Sequence, residues 1–109
     1  MKVLLVDDHP LILMALQAVV AGLEDGIEVV AADSGAHALR AMAEHPDLGL
    51  ALLDLRLGDA DGFDVLADMR RDHPQVPVVV VSASEQVADV VRSLDLGAMG
   101  FVPKRSSNQ

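Results

Sequence analysis

The sequence contains no cysteine, no tryptophan and no tyrosine, and phenylalanine occurs only twice among its 109 residues. Without cysteine the chain can form neither a disulfide nor a thiolate metal site, which fits a reducing compartment. Without aromatic platforms it lacks the stacking surfaces with which proteins bind single-stranded nucleic acid. The core must therefore be built from aliphatic side chains.

Basic residues are also scarce. Lysine and arginine together number 8 against 17 acids, which gives a formal net charge of -9. DNA and anionic membranes attract clustered lysine and arginine, and no such cluster occurs here. The first apolar run, Val3–Val6, is far shorter than a signal-peptide core or a membrane span. We therefore expect a cytoplasmic protein that contacts neither DNA nor a membrane directly.

The sequence does contain regular alternation between short apolar runs and helical patterns, within a length suited to one domain. The apolar runs are Val3–Val6, Ile27–Ala32, Leu48–Leu53, Val76–Val81 and Met99–Val102, and the helical patterns are Pro10–Gly22, Ser34–His45, Phe63–His73 and Glu85–Leu96. Most of the runs lack the alternation of a half-exposed sheet. The order predicts an α/β fold in which a doubly wound, five-stranded parallel sheet lies between helices.

Residues 105–109 are polar and show no apolar periodicity, so no fifth helix is predicted. With four helices, one face of a doubly wound sheet would be less covered than the other. We expect either that a last helix lies beyond this sequence, or that the bare face packs against a second copy or a neighbouring domain.

Two of the predicted strands end in acidic residues. Val3–Val6 runs into Asp7 and Asp8, and Leu48–Leu53 runs into Asp54. The carboxyl ends of parallel strands meet at one edge of the sheet, where ligands bind. Three carboxylates placed together repel one another unless a cation neutralises them, and Mg²⁺ suits oxygen ligands. We therefore expect a solvent-exposed Asp54 beside Mg²⁺, an arrangement that favours phosphoryl transfer.

Four motifs resemble the receiver domain of two-component response regulators, over the chain from Lys2 to about Ser107. The motifs are Val3-Leu4-Leu5-Val6-Asp7-Asp8-His9-Pro10, Leu53-Asp54-Leu55-Arg56-Leu57 with Asp61-Gly62, Val81-Ser82-Ala83 and Gly100-Phe101-Val102-Pro103-Lys104. The resemblance implies the flavodoxin-like strand order 2-1-3-4-5.

The resemblance also implies a metal site and a nucleophile. Asp54 would accept a phosphoryl group from a sensor histidine kinase or a phosphotransfer protein. Asp7, Asp8 and Asp54 would hold Mg²⁺ together with the backbone carbonyl of Arg56. A carboxylate is a workable nucleophile when cations neutralise and align the transferred group.

Two further residues complete the implied site, and a third completes the switch. Lys104 and Ser82 would contact the phosphoryl group. Ser82 would then move towards it, and Phe101 would swing inward to fill the space. The surface of the predicted helix Glu85–Leu96 would change as a result. The domain would accept the phosphoryl group and dephosphorylate itself, which is a signalling role and not the work of a turnover enzyme, so we do not expect an enzyme.

His9-Pro10-Leu11, together with Pro103-Lys104 and Ser106-Ser107, is similar to receivers attached to helix-turn-helix output domains of the LuxR/NarL type. This similarity implies a transcription regulator whose DNA-binding half lies outside these 109 residues. DNA would then be contacted only through that domain, which agrees with the acidic charge.

Two residues depart from the usual receiver pattern, in addition to the missing last helix. Gly58 stands where receivers commonly carry proline, and we expect it to loosen the loop that leads to Gly62. Phe101 stands where tyrosine is common, so a readout through a tyrosine hydroxyl is lost.

Other polar residues have simpler interpretations. Asp7 and Asp8 could also cap the helix that starts at Pro10. We expect the histidines to be surface or capping residues and the acids near the third helix to serve the loop and the helix start, all outside the site: His9, His37, His45, His73, Asp59, Asp61 and Asp64.

Two other function classes remain open at this point. A pseudo-receiver would keep the fold as a binding or dimerising module without accepting phosphate, as Gly58 and the missing helix suggest. A phosphohydrolase of the haloacid dehalogenase type would use Asp54 as nucleophile, but it needs a second aspartate two residues later. Arg56 stands there, so the general acid is missing.

Overall fold

The structure is a computed structural model that describes residues 1–84 and 86–104, in which strands and helices alternate along the chain. The strands are β1 (Lys2–Val6), β2 (Glu28–Ala32), β3 (Leu48–Asp54), β4 (Val78–Ser82) and β5 (Gly100–Pro103), and the helices are α1 (Pro10–Ala21), α2 (Gly35–Glu44), α3 (Gly62–Asp72) and α4 (Val87–Asp95). The predicted elements are therefore confirmed in number and kind. Two predicted features, the helix start at Glu85 and the polar tail 105–109, lie outside the described residues.

All five strands are parallel and lie in the order β2-β1-β3-β4-β5. This confirms the doubly wound sheet and the strand order 2-1-3-4-5. The largest difference in bounds is at β4, which begins at Val78 and not at Val76. Pro77 precedes it, and a proline has no N–H to donate to a sheet ladder.

The two faces of the sheet are unevenly covered in the described part of the chain. The larger core lies under α2 and α3, where Leu4, Leu53 and Leu66 are fully buried. The smaller cluster lies under α1 and includes Leu50 and Leu52, which are only half-buried. The uneven cover agrees with the expectation from four helices. Among the described helices, none is long and apolar enough to cross a membrane.

Strand register brings the predicted site residues to one edge. Val6 lies opposite Leu53, so the residues that follow, Asp7 and Asp54, leave the sheet side by side. Ser82 ends β4 opposite Pro103 on β5, and Lys104 comes directly after Pro103. Parallel pairing in this register is therefore what gathers side chains that are far apart in sequence.

Gly62 closes the loop between β3 and α3 by close backbone contact. Its N–H donates to the Leu55 carbonyl at 3.1 Å, and Arg56 pairs with Asp61 across the same loop. A Cβ built at Gly62 would overlap the backbone of Leu55. Only glycine therefore allows this loop to fold back tightly after Asp54.

We predict that Gly62→Ala lowers the free energy of unfolding by about 3 kcal/mol, because the loop backbone must move to admit the methyl group. Urea unfolding followed by circular dichroism would measure it. Gly22→Ala is the matched control, since a Cβ there would lie 3.4 Å from the nearest carbonyl oxygen, that of Ala18. Equal unfolding free energies for the two variants would contradict the packing described here.

Candidate functional site

The centre of the site is a lysine that bridges two buried carboxylates. Lys104 Nζ donates to Asp7 Oδ2 at 2.8 Å and to Asp54 Oδ2 at 3.0 Å. The side chains of Asp7 and Asp54 are 1% and 3% exposed, and that of Lys104 is 21% exposed. The structure thus brings together the first and third acids and the lysine that the sequence singled out.

Backbone hydrogen bonds hold each member of this bridge in place. The Asp7 N–H donates to the Ala32 carbonyl at 3.1 Å, which extends the β1–β2 pairing by one residue. The Lys104 N–H donates to the Ser82 carbonyl at 2.6 Å. Asp54 Oδ1 accepts the N–H of Arg56 at 3.1 Å, which fixes the carboxylate against the start of its own loop.

The expectation that Asp54 is exposed to solvent is wrong for this structure. The register places Asp54 at the sheet edge, as predicted, but the side chains of Lys104 and His9 lie against its Oδ2. His9 is 59% exposed and Lys104 is 21% exposed, and both side chains can change position by rotation about their χ angles. A reactant that approaches Asp54 must therefore displace one of these two side chains.

The two carboxyl groups differ in pKa because they receive different numbers of donors. Burial dominates at Asp54 and raises its pKa above the ordinary value, although the Arg56 N–H and Lys104 oppose the shift. Burial also acts on Asp7, but hydrogen bonds from Lys104 and His9 outweigh it and lower its pKa. The pKa of Lys104 is raised because its bonds to Asp7 and Asp54 outweigh its burial.

Asp8 lies beside this pair with its two oxygens in different surroundings. Asp8 Oδ2 accepts the N–H of Gly58 at 2.9 Å, a contact between two loops that are 50 residues apart in sequence. Asp8 Oδ1 is buried and has no hydrogen-bond partner among the described residues. A buried acceptor left open is a place where a cation fits.

His9 is exposed, as predicted for a surface residue, but it also lies in the acidic cluster, where the sequence analysis did not place it. It occupies the N-cap position of α1 but makes no side-chain cap. Its Nδ1 lies 2.9 Å from Asp7 Oδ1 and 3.0 Å from Asp8 Oδ1, and the bond to Asp7 raises the pKa of His9. Neither Asp7 nor Asp8 caps α1. Only adjacency to the acidic pair in sequence could have indicated this role.

The donor set fits a divalent cation. One atom each from Asp7, Asp8, His9 and Asp54 lies within 4.8 Å of all the others. Carboxylate oxygens are the ligands that Mg²⁺ prefers, and Asp8 Oδ1, which makes no hydrogen bond although His9 Nδ1 lies 3.0 Å away, is an acceptor that a cation would satisfy. The Arg56 carbonyl remains a predicted ligand, since what the structure records is the bond from its N–H to Asp54.

Ser82 and Phe101 lie on the face of the sheet that α2, α3 and α4 cover. Ser82 is fully buried, and its Oγ accepts the N–H of Ser84 at 3.1 Å. Phe101 lies opposite Val80, is half-buried and packs against the larger core. A cavity of about 260 Å³ adjoins Ser82, with Phe63 and Arg92 also in its wall. Ser82 therefore has space beside it.

The acids that the sequence excluded from the site serve helix ends. Asp61 caps α3 through the N–H of Phe63 at 2.8 Å. Asp59 Oδ1 accepts the N–H of Gly35 at 2.9 Å at the start of α2, and these backbone bonds lower the pKa of Asp59. The interpretation of both as loop and helix-start acids is confirmed.

The profile of the response regulator receiver domain matches residues 3–109 of the sequence. The chain belongs to this family. The resemblance predicted from the four motifs is thereby confirmed, and the strand-end positions of the receiver's Asp7, Asp8, Asp54 and Lys104 agree with it.

Several curated relatives of this receiver are named as transcriptional regulators. The chain is 44% identical over 102 residues to transcriptional regulatory protein KdpE of Mycobacterium tuberculosis, which covers 94% of the chain and 43% of that protein. It is 37% identical over 105 residues to the glycerol metabolism activator of Pseudomonas putida, which covers 96% of the chain and 48% of the relative. The receiver thus spans about half the length of these proteins.

A solved structure with a similar fold is the Mn²⁺-bound form of response regulator Rcp1. The TM-score is 0.81 at 30% identity, and the match covers 98% of this chain and 83% of that one. The fold derived from the register of this receiver is therefore that of solved response regulators.

We predict that Lys104→Met lowers the free energy of unfolding at neutral pH by about 2 kcal/mol, because it leaves two buried carboxylates without their cation. Because the pKa of Lys104 is raised in the folded protein, Lys104 stabilises the fold fully below its unfolded-state pKa. This stabilisation is lost as the pH rises through the folded-state pKa. Because the pKa of Asp7 is lowered in the folded protein, its contribution to the free energy of unfolding is lost as the pH falls through the folded-state pKa of Asp7.

The difference between wild type and Lys104→Met should therefore be largest near neutral pH and shrink at both extremes. Urea unfolding across the pH range would measure it. Arg71→Met is the matched control, because Arg71 is 68% exposed and its ion pairs lie on the surface. A loss for Lys104→Met no greater than that control would contradict the bridge.

Proposed function

We propose that this receiver accepts a phosphoryl group on Asp54 in a Mg²⁺-dependent reaction and transmits the change to an output domain through α4. The observation that carries the proposal is the placement of Lys104 between two buried carboxylates, next to a buried Asp8 oxygen that makes no hydrogen bond. Two buried acids that share one lysine are costly to maintain, and such groups cluster at functional sites.

The proposed reaction transfers a phosphoryl group from a phosphohistidine on a sensor histidine kinase, or on a phosphotransfer protein, in the cytoplasm. A carboxylate oxygen of Asp54 attacks the phosphorus, an oxygen–phosphorus bond forms, and the bond to the histidine nitrogen breaks with its electron pair on nitrogen. Bound Mg²⁺ would neutralise charge on the transferred group. Asp7, Asp8 and Asp54 would hold it, with the Arg56 carbonyl as a further ligand.

Lys104 has two roles in this proposal. In the resting protein it compensates the charges of Asp7 and Asp54. When the phosphoryl group arrives, Lys104 Nζ can leave Asp54 and donate to a phosphoryl oxygen instead, which uncovers Asp54. One cation thus both stabilises the empty site and binds the transferred group.

The switch is proposed to start at Ser82. Its Oγ would leave the Ser84 N–H and donate its own proton to a phosphoryl oxygen, and Phe101 would move inward. Ser84 Oγ is bonded to Asp89 of α4 at 2.5 Å, so movement of this loop reaches the helix directly. Two packings separated by only a few kcal/mol suffice for one phosphoryl group to shift the population.

The output is proposed to be a DNA-binding domain attached to the receiver. The support is that several curated relatives of about twice this length are named as transcriptional regulators. The receiver's own charge of -9 makes direct DNA binding by this domain unfavourable. A homodimer formed on phosphorylation is part of the same proposal.

We predict that incubation with Mg²⁺ and acetyl phosphate adds one phosphoryl group to the wild type and none to Asp54→Asn. Intact-protein mass spectrometry would measure the gain. Asp61→Asn is the matched control, because Asp61 caps α3 outside the site and should leave the gain unchanged. Omission of Mg²⁺ should also abolish it.

Two outcomes of that experiment would contradict the proposal. No gain on the wild type would favour a pseudo-receiver that acts by binding alone. Steady turnover of a phosphate ester, offered in place of acetyl phosphate, would favour a phosphohydrolase, for which the chain has Arg56 in place of the second aspartate.

We predict that Ser82→Ala still accepts the phosphoryl group but loses most of the response in α4. The response is the change in backbone amide chemical shifts of Val87–Asp95 when the protein is phosphorylated. Ser93→Ala is the matched control, because Ser93 is equally buried but bonds only within α4, to the Asp89 carbonyl. An undiminished α4 response in Ser82→Ala would contradict the proposed switch.

A further inference from the structure

The loop between β3 and α3 reaches the acidic site through a backbone group of a residue that sequence analysis treated only as a source of flexibility. Gly58 lies four residues after Asp54, and its N–H donates to Asp8 Oδ2 at 2.9 Å. A Cβ built at Gly58 would lie 3.3 Å from the same oxygen. The loop backbone is therefore packed directly against Asp8.

Because of this bond, the two oxygens of Asp8 have different surroundings. Asp8 Oδ2 is occupied by Gly58, whereas Asp8 Oδ1 is buried, has no hydrogen-bond partner and lies 3.0 Å from His9 Nδ1. A carboxylate rotates about a single bond and would otherwise present either oxygen. The bond from the loop fixes the rotation of the carboxylate, so that its other oxygen faces the other acids.

We infer that Gly58 is a positioning residue for divalent-cation binding: its N–H holds Asp8 with Oδ1 directed into the carboxylate cluster. The inference rests on the proposed function, because it concerns the same Mg²⁺ site. The fold thus orders one ligand side chain before the cation binds, so binding does not require that loss of conformational entropy. The proline that receivers commonly carry at position 58 has no N–H and cannot supply this bond, so the positioning role is particular to this chain.

Replacement of Gly58 by proline tests the role of the N–H directly. It removes the donor and places a ring carbon where the hydrogen lies, so Asp8 Oδ2 must move away. Gly58 does not have the positive φ that proline cannot adopt. Gly58→Ala is the conservative control, since it keeps the N–H and adds only a methyl group at 3.3 Å.

The experiment is a Mg²⁺ titration of the protein, followed by two-dimensional NMR. We expect Gly58→Pro to weaken Mg²⁺ binding about tenfold, because a charged hydrogen bond that orders a ligand is lost. We expect Gly58→Ala to stay within about threefold of the wild type. Urea unfolding of both variants checks that each is folded.

A second measurement does not depend on any substitution in the loop. In the wild type without Mg²⁺, the Gly58 amide should exchange with solvent at least tenfold more slowly than that of Gly26, which is exposed. Replacement of the acceptor by Asp8→Ala should remove most of that protection.

The outcomes are distinguishable. If the wild type binds no Mg²⁺, the proposed function fails. If the wild type binds Mg²⁺ and Gly58→Pro binds it equally well, the positioning role is overturned while the proposed function stands. A Gly58 amide that exchanges as fast as that of Gly26 also overturns the role, even if Gly58→Pro fails to fold.

Discussion

The ion bridge from Lys104 to Asp7 and Asp54 is the interaction on which the site depends. Without the lysine, the sheet would bring two nearly buried carboxylates together with no compensating charge. The three residues come from β1, β3 and the end of β5, and the parallel register aligns them at one edge. The fold therefore brings the two acids together and places the compensating cation beside them.

The same arrangement explains how such a site could change state. A cation paired with two acids can release one of them and bind a third anion without leaving the site, because it still has two anionic partners. Lys104 is bonded through its backbone to Ser82, and Ser84 connects Ser82 to Asp89 of α4. A change at the carboxylates is thus three short contacts away from a helix surface.

Much of the fold was predictable because its signals are local. Apolar runs without alternation indicated buried parallel strands, and the β4 start shifted only because Pro77 cannot donate to the ladder. The acidic ends of β1 and β3 predicted one shared cluster, since parallel strands end together. The resemblance to receivers added Lys104, whose position beside Asp7 has no local signal.

The parts that sequence reasoning missed depend on side-chain directions across loops. Burial of Asp54 follows from how Lys104 and His9 fold over it, and no spacing rule encodes that. His9 was set aside because metal ligands usually show repeated spacing, which an isolated residue lacks. The bond from Gly58 to Asp8 joins loops 50 residues apart, and only coordinates reveal it.

The most direct test of the central claim is the titration of the carboxyl carbons of Asp7 and Asp54 by NMR, without Mg²⁺. The Lys104 bridge and the difference in donors predict that Asp7 titrates below the ordinary aspartate pKa and Asp54 above it. If both carboxyl groups titrate together at the ordinary value, they are neither buried nor bridged by Lys104, and the account of the site is wrong.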